Sequence, residues 1–145
     1  SNPNRSPLLE GFAYQVAYKL DIEAMNRACS LLEGEHDLAS FAASAGRVKS
    51  TLRKIYRIGF ELERKMIIFR IKQNSFLMHQ VRNMLGFLMG IGTGKRTIED
   101  LKQVLNERRP GLAGPAVPPY GLYLTRVYYP EDLELKYENL FNQSQ

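Results

Sequence analysis

One stretch constrains the fold more than any other. From Thr51 to Glu63 apolar and charged residues alternate, Arg64-Lys65 makes a tight connection, and Met66 to Lys72 follows as a run rich in Ile and Phe. Side chains on a strand point alternately to opposite faces, so this pattern predicts two half-buried strands joined as an antiparallel hairpin. Leu52, Tyr56, Ile58, Phe60 and Leu62 are assigned to one face, and Arg53, Arg57, Glu61 and Glu63 to the other.

The hairpin also concentrates charge. The whole chain of 145 residues carries a formal net charge of +5. Between Arg47 and Lys72 nine Lys or Arg face only two acids, Glu61 and Glu63, so this segment is strongly basic and the remainder slightly acidic. A basic block on an element of fixed geometry is the footprint of a phosphate-backbone binder, which points to nucleic acid rather than to an ordinary solvated face.

The other elements follow from helical spacing. Leu20 to Glu33 is expected to be a helix, with Asp21 as N-cap, Ile22, Met25, Cys29 and Leu32 on one face, and Gly34 as its stop. Glu35-His36-Asp37 and the small-residue stretch from Phe41 to Gly46 are expected to form a loop with a short helical turn. Asn74 or Ser75 is the expected cap of a second helix with the stripe Leu77, Val81, Met84, Leu85, Leu88 and Ile91. On it Arg82 sits beside Met78, Gly86 and Met89, a partly desolvated position, and the Gly86–Gly90 side is bare enough for close approach. Thr97 to Asp100 has capping-box spacing and opens a third helix that ends before Pro110. A Gly- and Pro-dense loop from Gly111 to Pro119 precedes a final strand, Gly121 to Tyr129. The result is one domain of the α+β class, with helices packed on one face of a mostly antiparallel sheet.

Several chemistries are excluded or disfavoured. Gly90-Ile91-Gly92-Thr93-Gly94-Lys95-Arg96 imitates a phosphate loop. However, Met89 stands where the first glycine belongs, Arg96 where a Ser or Thr should follow the lysine, and a helix precedes it rather than a strand. It is expected to be a helix-ending turn. With His36, His79 and Cys29 alone there is no metal-ligand set of credible spacing, and His36-Asp37 is better explained as a loop-structuring pair than as a proton relay. The single cysteine precludes an internal disulfide and fits a reducing compartment. The apolar run Met84 to Gly92 is about half of the roughly 20 residues a membrane span needs, and no signal segment opens the chain, so a cytoplasmic location is expected. Residues 1–7 are expected to be disordered or a tag remnant, because Ser1-Asn2-Pro3 lacks an initiator Met. Residues 131–145 are expected to be a polar tail.

The stretch from Asn74 to Gly86, with Phe76-Leu77 and His79-Gln80-Val81-Arg82-Asn83, resembles the tRNA pseudouridine synthase A family. Gly34-Glu35-His36-Asp37 followed by Ser40-Phe41 looks like the family's Gly-Glu-His-Asp-Phe segment, and Ala113 to Leu124 like its Pro-rich loop and Gly-Leu-Tyr-Leu strand. The three occur in the family's order and cover most of residues 8–130. Gln80 stands where the family usually has Met, and Ala116-Val117 where Thr-Ala is common.

The resemblance implies that residues 8–130 are a C-terminal half-domain, half of a pseudouridine synthase fold. It implies an isomerase that converts uridine to pseudouridine in the tRNA anticodon arm without any cofactor or metal. The family's nucleophile is an Asp in an Arg-Thr-Asp motif. This chain has only Asp21, Asp37, Asp100 and Asp132, none in that context, so the fragment alone is expected to be inactive. By the resemblance, Arg82 matches the active-site Arg that pairs with that Asp, and Leu122 the apolar residue that packs against the flipped uracil. Arg53, Arg57, Arg70 and Lys72 are the candidate RNA-backbone contacts. The implied partners are tRNA, the N-terminal half of the same enzyme and a second copy in a homodimer, with no membrane. The alternative is a non-catalytic RNA-binding module, although Met66 to Ile71 offers one aromatic and no Gly where that module's strand signature needs more.

Overall fold

The computed structural model describes residues 8–15, 20–43, 49–64, 66–113 and 125–128. The described residues form five strands, β1 (Leu8–Gln15), β2 (Gly34–Asp37), β3 (Leu52–Glu63), β4 (Met66–Gln73) and β5 (Thr125–Tyr128). Among the described residues the helices are α1 (Ile22–Leu32), α2 (Gln80–Gly92) and α3 (Ile98–Glu107), with a 3₁₀ turn at Ala39–Phe41. The strands form one sheet in the order β2-β3-β4-β1-β5, and each pairing in it is antiparallel. The α+β class and the β3–β4 hairpin stand as expected, with Arg64 at the turn in a left-handed conformation.

Local signals account for the helices. Asp21 caps α1 by accepting from the Ala24 amide at 3.0 Å. The Thr97–Asp100 capping box of α3 is closed in both directions, at 3.1 and 2.8 Å. Met25, Ala28, Cys29 and Leu32 of α1 are buried against the sheet face that carries Ile55, Ile58, Phe60, Ile67, Phe69 and Ile71. Asn26 stitches the two layers. Its side-chain amide donates to the Phe60 carbonyl at 2.9 Å and accepts from the Phe60 amide at 2.8 Å, so this part of the β3 edge is not left open.

Four sequence expectations are corrected. The segment before Leu20, expected to be irregular, holds a strand, Leu8–Gln15, placed between β4 and β5. Gly34–Asp37 is an edge strand on β3 rather than a loop. Its residues have little strand propensity, and the long neighbour supplies the pairing. A β-bulge lies between Ile55 and Arg57, where Ile55 pairs with Gln73 but Arg57 pairs with Lys72. The extra residue inverts the alternation before it, so Ile55 is buried while Leu52 and Tyr56 are exposed; Leu62 keeps the phase of Phe60 but is exposed near the end of the strand. Finally, α2 starts at Gln80, well after Asn74 and Ser75.

Candidate functional site

Asn74 does not cap α2 because it is engaged elsewhere. Its side-chain oxygen accepts from the Lys54 amide at 3.0 Å, and its own amide donates to the Lys54 carbonyl at 3.2 Å. The cap position falls to His79, which has φ 62° and makes no side-chain capping bond. Positive φ in a residue with a Cβ is uncommon and concentrates at functional sites. The late helix start changes the surroundings of Arg82. Gly86 and Met89 are buried as expected, but Met78 precedes the helix and is 66% exposed, and His79 and Arg82 are exposed with it. Arg82 is therefore exposed rather than partly desolvated, and it bonds to none of the described residues, Glu35 and Asp37 included. Leu122 lies outside the described residues.

The segment after β2 fixes this end of α2. The Ala43 amide donates to the Met78 carbonyl at 3.1 Å, and the buried Asn83 side chain donates to the Phe41 carbonyl at 2.8 Å. The Ser40 hydroxyl donates to the Val104 carbonyl of α3 at 2.7 Å and accepts from the Arg109 amide. The Gly111 and Ala113 amides donate to the Ala42 and Ser40 carbonyls at 2.7 and 2.9 Å. Ser40 to Ala43 thus joins α2, the end of α3 and the start of the Gly- and Pro-rich loop. Two of the motif segments identified in sequence meet here, together with Ala113, the first residue of the third. The anchoring roles of Ser40 and Asn83 had no spacing signal of their own.

The four candidate cations do not form one patch. The bulge puts Arg53 in phase with Ile55 and Arg57 in the opposite phase. Arg53 donates to the Ser50 and Leu52 carbonyls at 2.8 and 2.7 Å, and its burial lowers the guanidinium pKa. Arg57 and Lys72 are half-buried and lie directly opposite each other on the face away from the helices. Arg70, on that face, is 6% exposed and its guanidinium pairs with Glu61. Its ladder neighbours are Gly59 and Gly11, so neither cross-strand partner carries a side chain.

Two other motifs resolve as structural. Asp37 accepts from the Ala39 amide and the Thr51 hydroxyl at 3.0 and 2.6 Å, while His36 bonds the Glu33 carbonyl at 3.0 Å, so both side chains brace β2 and the segments beside it. The Gly90–Arg96 turn closes on itself, since the Gly90 carbonyl accepts from the Lys95 and Arg96 amides and the Thr93 hydroxyl. The Arg96 side chain covers the bare side of Gly90 and stacks 4.4 Å from the Phe87 ring centroid. Cys29 is buried in the core, as expected. Among the described residues no helix is long and apolar enough to cross a membrane.

Comparison with known proteins adds a family. Residues 28–130 match the model of the tRNA pseudouridine synthase family. The chain is 40% identical over 131 residues to tRNA pseudouridine synthase A of Burkholderia thailandensis, covering 90% of this chain and 48% of that protein. The same figures hold for the protein of that name from Burkholderia mallei. For that of Paraburkholderia phytofirmans the match is 40% over 130 residues. The chain spans about half the length of the curated relatives it matches.

Proposed function

The chain belongs to the tRNA pseudouridine synthase family, and from that premise we propose that it is the C-terminal half of an isomerase acting on uridine in the tRNA anticodon arm. One observation carries this most directly: Arg82 is exposed at the start of a mostly buried helix and bonds to none of the described residues. An exposed, pre-positioned guanidinium suits a carboxylate supplied by another segment, and a cation at hydrogen-bond distance holds a carboxyl ionised. In this proposal that carboxylate is the Asp of an Arg-Thr-Asp segment in the N-terminal half, serving as nucleophile or base. The glycosidic bond breaks, the uracil turns, and the ring rejoins the ribose through carbon without a cofactor. The target base has to leave its stack, and Leu122 is proposed to pack against it once flipped.

Arg57 and Lys72, which share a sheet face, are the better-supported phosphate contacts. Arg53 joins them from the opposite phase, and Arg70 acts through its pairing with Glu61. The proposed setting is a cytoplasmic homodimer of the full-length protein.

The test is to incubate unmodified tRNA with this chain alone, with the N-terminal half alone, and with both together, mapping pseudouridine by carbodiimide. Product is expected only from the combination or from the uncut protein. Turnover by this chain alone would overturn the assignment of the nucleophile. tRNA binding without product from the uncut protein would favour the RNA-binding module instead.

A further inference from the structure

We infer that Gln73 and Gln80 form a positioning device for Arg82, an inference that rests on the role proposed for Arg82 above. Both side chains are fully buried, at 0% exposure. Gln73 Nε2 donates to Gln80 Oε1 at 2.8 Å, and Gln80 Nε2 donates back to Gln73 Oε1 at 2.9 Å. The pair reaches into the turn it encloses, where Gln73 Nε2 also donates to the Ser75 carbonyl at 2.7 Å and Gln80 Oε1 also accepts from the Leu77 amide at 3.1 Å. The last residue of β4 is therefore tied to the first residue of α2, across a turn whose two inner backbone groups are held by the same amides.

No side-chain N-cap performs this task. His79 makes no capping bond, and Asn74 is clipped to Lys54. Two residues along a helix correspond to a rotation of about 200°, so fixing Gln80 inward turns Arg82 outward. A buried amide pair is specific in distance and angle, whereas apolar packing tolerates sliding and rotation. Freed from the pair, the first turn of α2 can rotate or fray, and a shift of about 1 Å at a reacting centre can cost roughly 10²-fold in rate.

The test uses the full-length protein with Gln80→Met, Gln73→Leu and the double substitution. In Gln80→Met the Leu77 amide is expected to exchange its hydrogen at least about 10-fold faster, because its acceptor is gone. The kcat is expected to fall about 10-fold to 10²-fold with KM changed less than about twofold, since orientation is lost and remote tRNA binding is kept. The double variant is expected to be no worse than Gln80→Met, as for two groups acting as one unit. Gln80→Glu supplies a second reading: a protonated carboxyl there repeats both the donor and the acceptor. Burial raises its pKa above the ordinary value of about 4.3, so the ratio of variant to wild-type kcat is expected to rise as pH falls toward that raised value.

A Gln80→Met enzyme with wild-type kcat per folded molecule would overturn the inference, as would a Gln80→Glu ratio that does not change with pH. Arg82→Met separates the two levels. If it keeps full activity, the role of Arg82 fails whatever the glutamines do. If it is inactive while Gln80→Met turns over normally, only the positioning inference fails.

Discussion

The two ends of α2 are built in opposite ways. Its C-terminal end has the composition of a phosphate loop, yet its amides are taken up by the last carbonyls of the helix, Thr93 by Met89, Gly94 by Ile91, and Lys95 and Arg96 by Gly90, and Arg96 lies across the bare helix side. Its N-terminal end has an unremarkable composition but leaves Met78, His79 and Arg82 exposed around an uncapped first turn. Chemistry follows from which polar groups the backbone leaves unspent, and composition alone does not report that. Neighbouring α1 braces the closed end further. The Asp21 amide donates to the Gly92 carbonyl at 2.9 Å, and the Met25 sulfur occupies the space a side chain at Gly92 would need.

The largest effect that sharpens this contrast is expected at the open end. On the role proposed for Arg82, Arg82→Met in the full-length protein should cut pseudouridine formation by roughly 10²-fold or more, because a carboxylate would lose its orienting partner. Its urea midpoint should barely move, since exposed substitutions typically stay within about 0.5 kcal/mol. Undiminished turnover would mean that the open end is not the working end. The adjacent Asn83 points inward, and Asn83→Ala should show the reverse balance. It strands the buried Phe41 carbonyl, so unfolding should cost about 1–3 kcal/mol less. A stability loss much smaller than that would show that Ser40 to Ala43 does not anchor the turn.

At the closed end, Gly94 has φ +81°, so Gly94→Ala should destabilise by about 1 kcal/mol while leaving tRNA affinity unchanged. A clear loss of tRNA affinity in that variant would break the comparison, because the turn would then be a ligand site after all. The smallest effect belongs to Cys29 in the bracing helix. Burial first, and then the Glu33 charge, raise its thiol pKa. The unfolded thiol ionises near its ordinary value of about 8.5 while the native one stays neutral, so its contribution to stability is complete below that pH and declines above it. Urea unfolding near pH 7 and again at about pH 9.5 should show a larger drop for wild type than for Cys29→Ala.

What was legible in the sequence was local. The Asp21 cap, the Thr97–Asp100 box and the β3–β4 hairpin each depend on residues a few positions apart, and the structure has all three. The phase of Arg82 also followed from spacing. Its exposure did not, because that depends on Asn74 being claimed by Lys54, a contact between β3 and the end of β4. The bulge at Ile55/Arg57 arises from pairing with Gln73 and Lys72, and it separated Arg53 from Arg57 without any cue in their own segment. β2 and β1 were missed for a similar reason. Gly34–Asp37 becomes a strand because β3 offers it an edge, and β1 because β4 and β5 offer it two.

The place of β1 in the sheet sets an order of events in time. β3 and β4 meet through a short turn, and hairpins of that kind close within about 1–10 μs. β1 precedes both in the chain, yet it lies between β4 and β5, with Glu10 opposite Ile71 on one side and Tyr128 on the other. It is made before both of its partners, and after β4 has paired with one of its edges the other stays open until β5 has been made. Long-range pairings of this kind are slow steps, and an unsatisfied strand is the part of a nascent chain most ready to pair wrongly. A chain that stops before β5 would leave β1 as an open edge, so the last few residues of the sheet complete the pairing of one of the first.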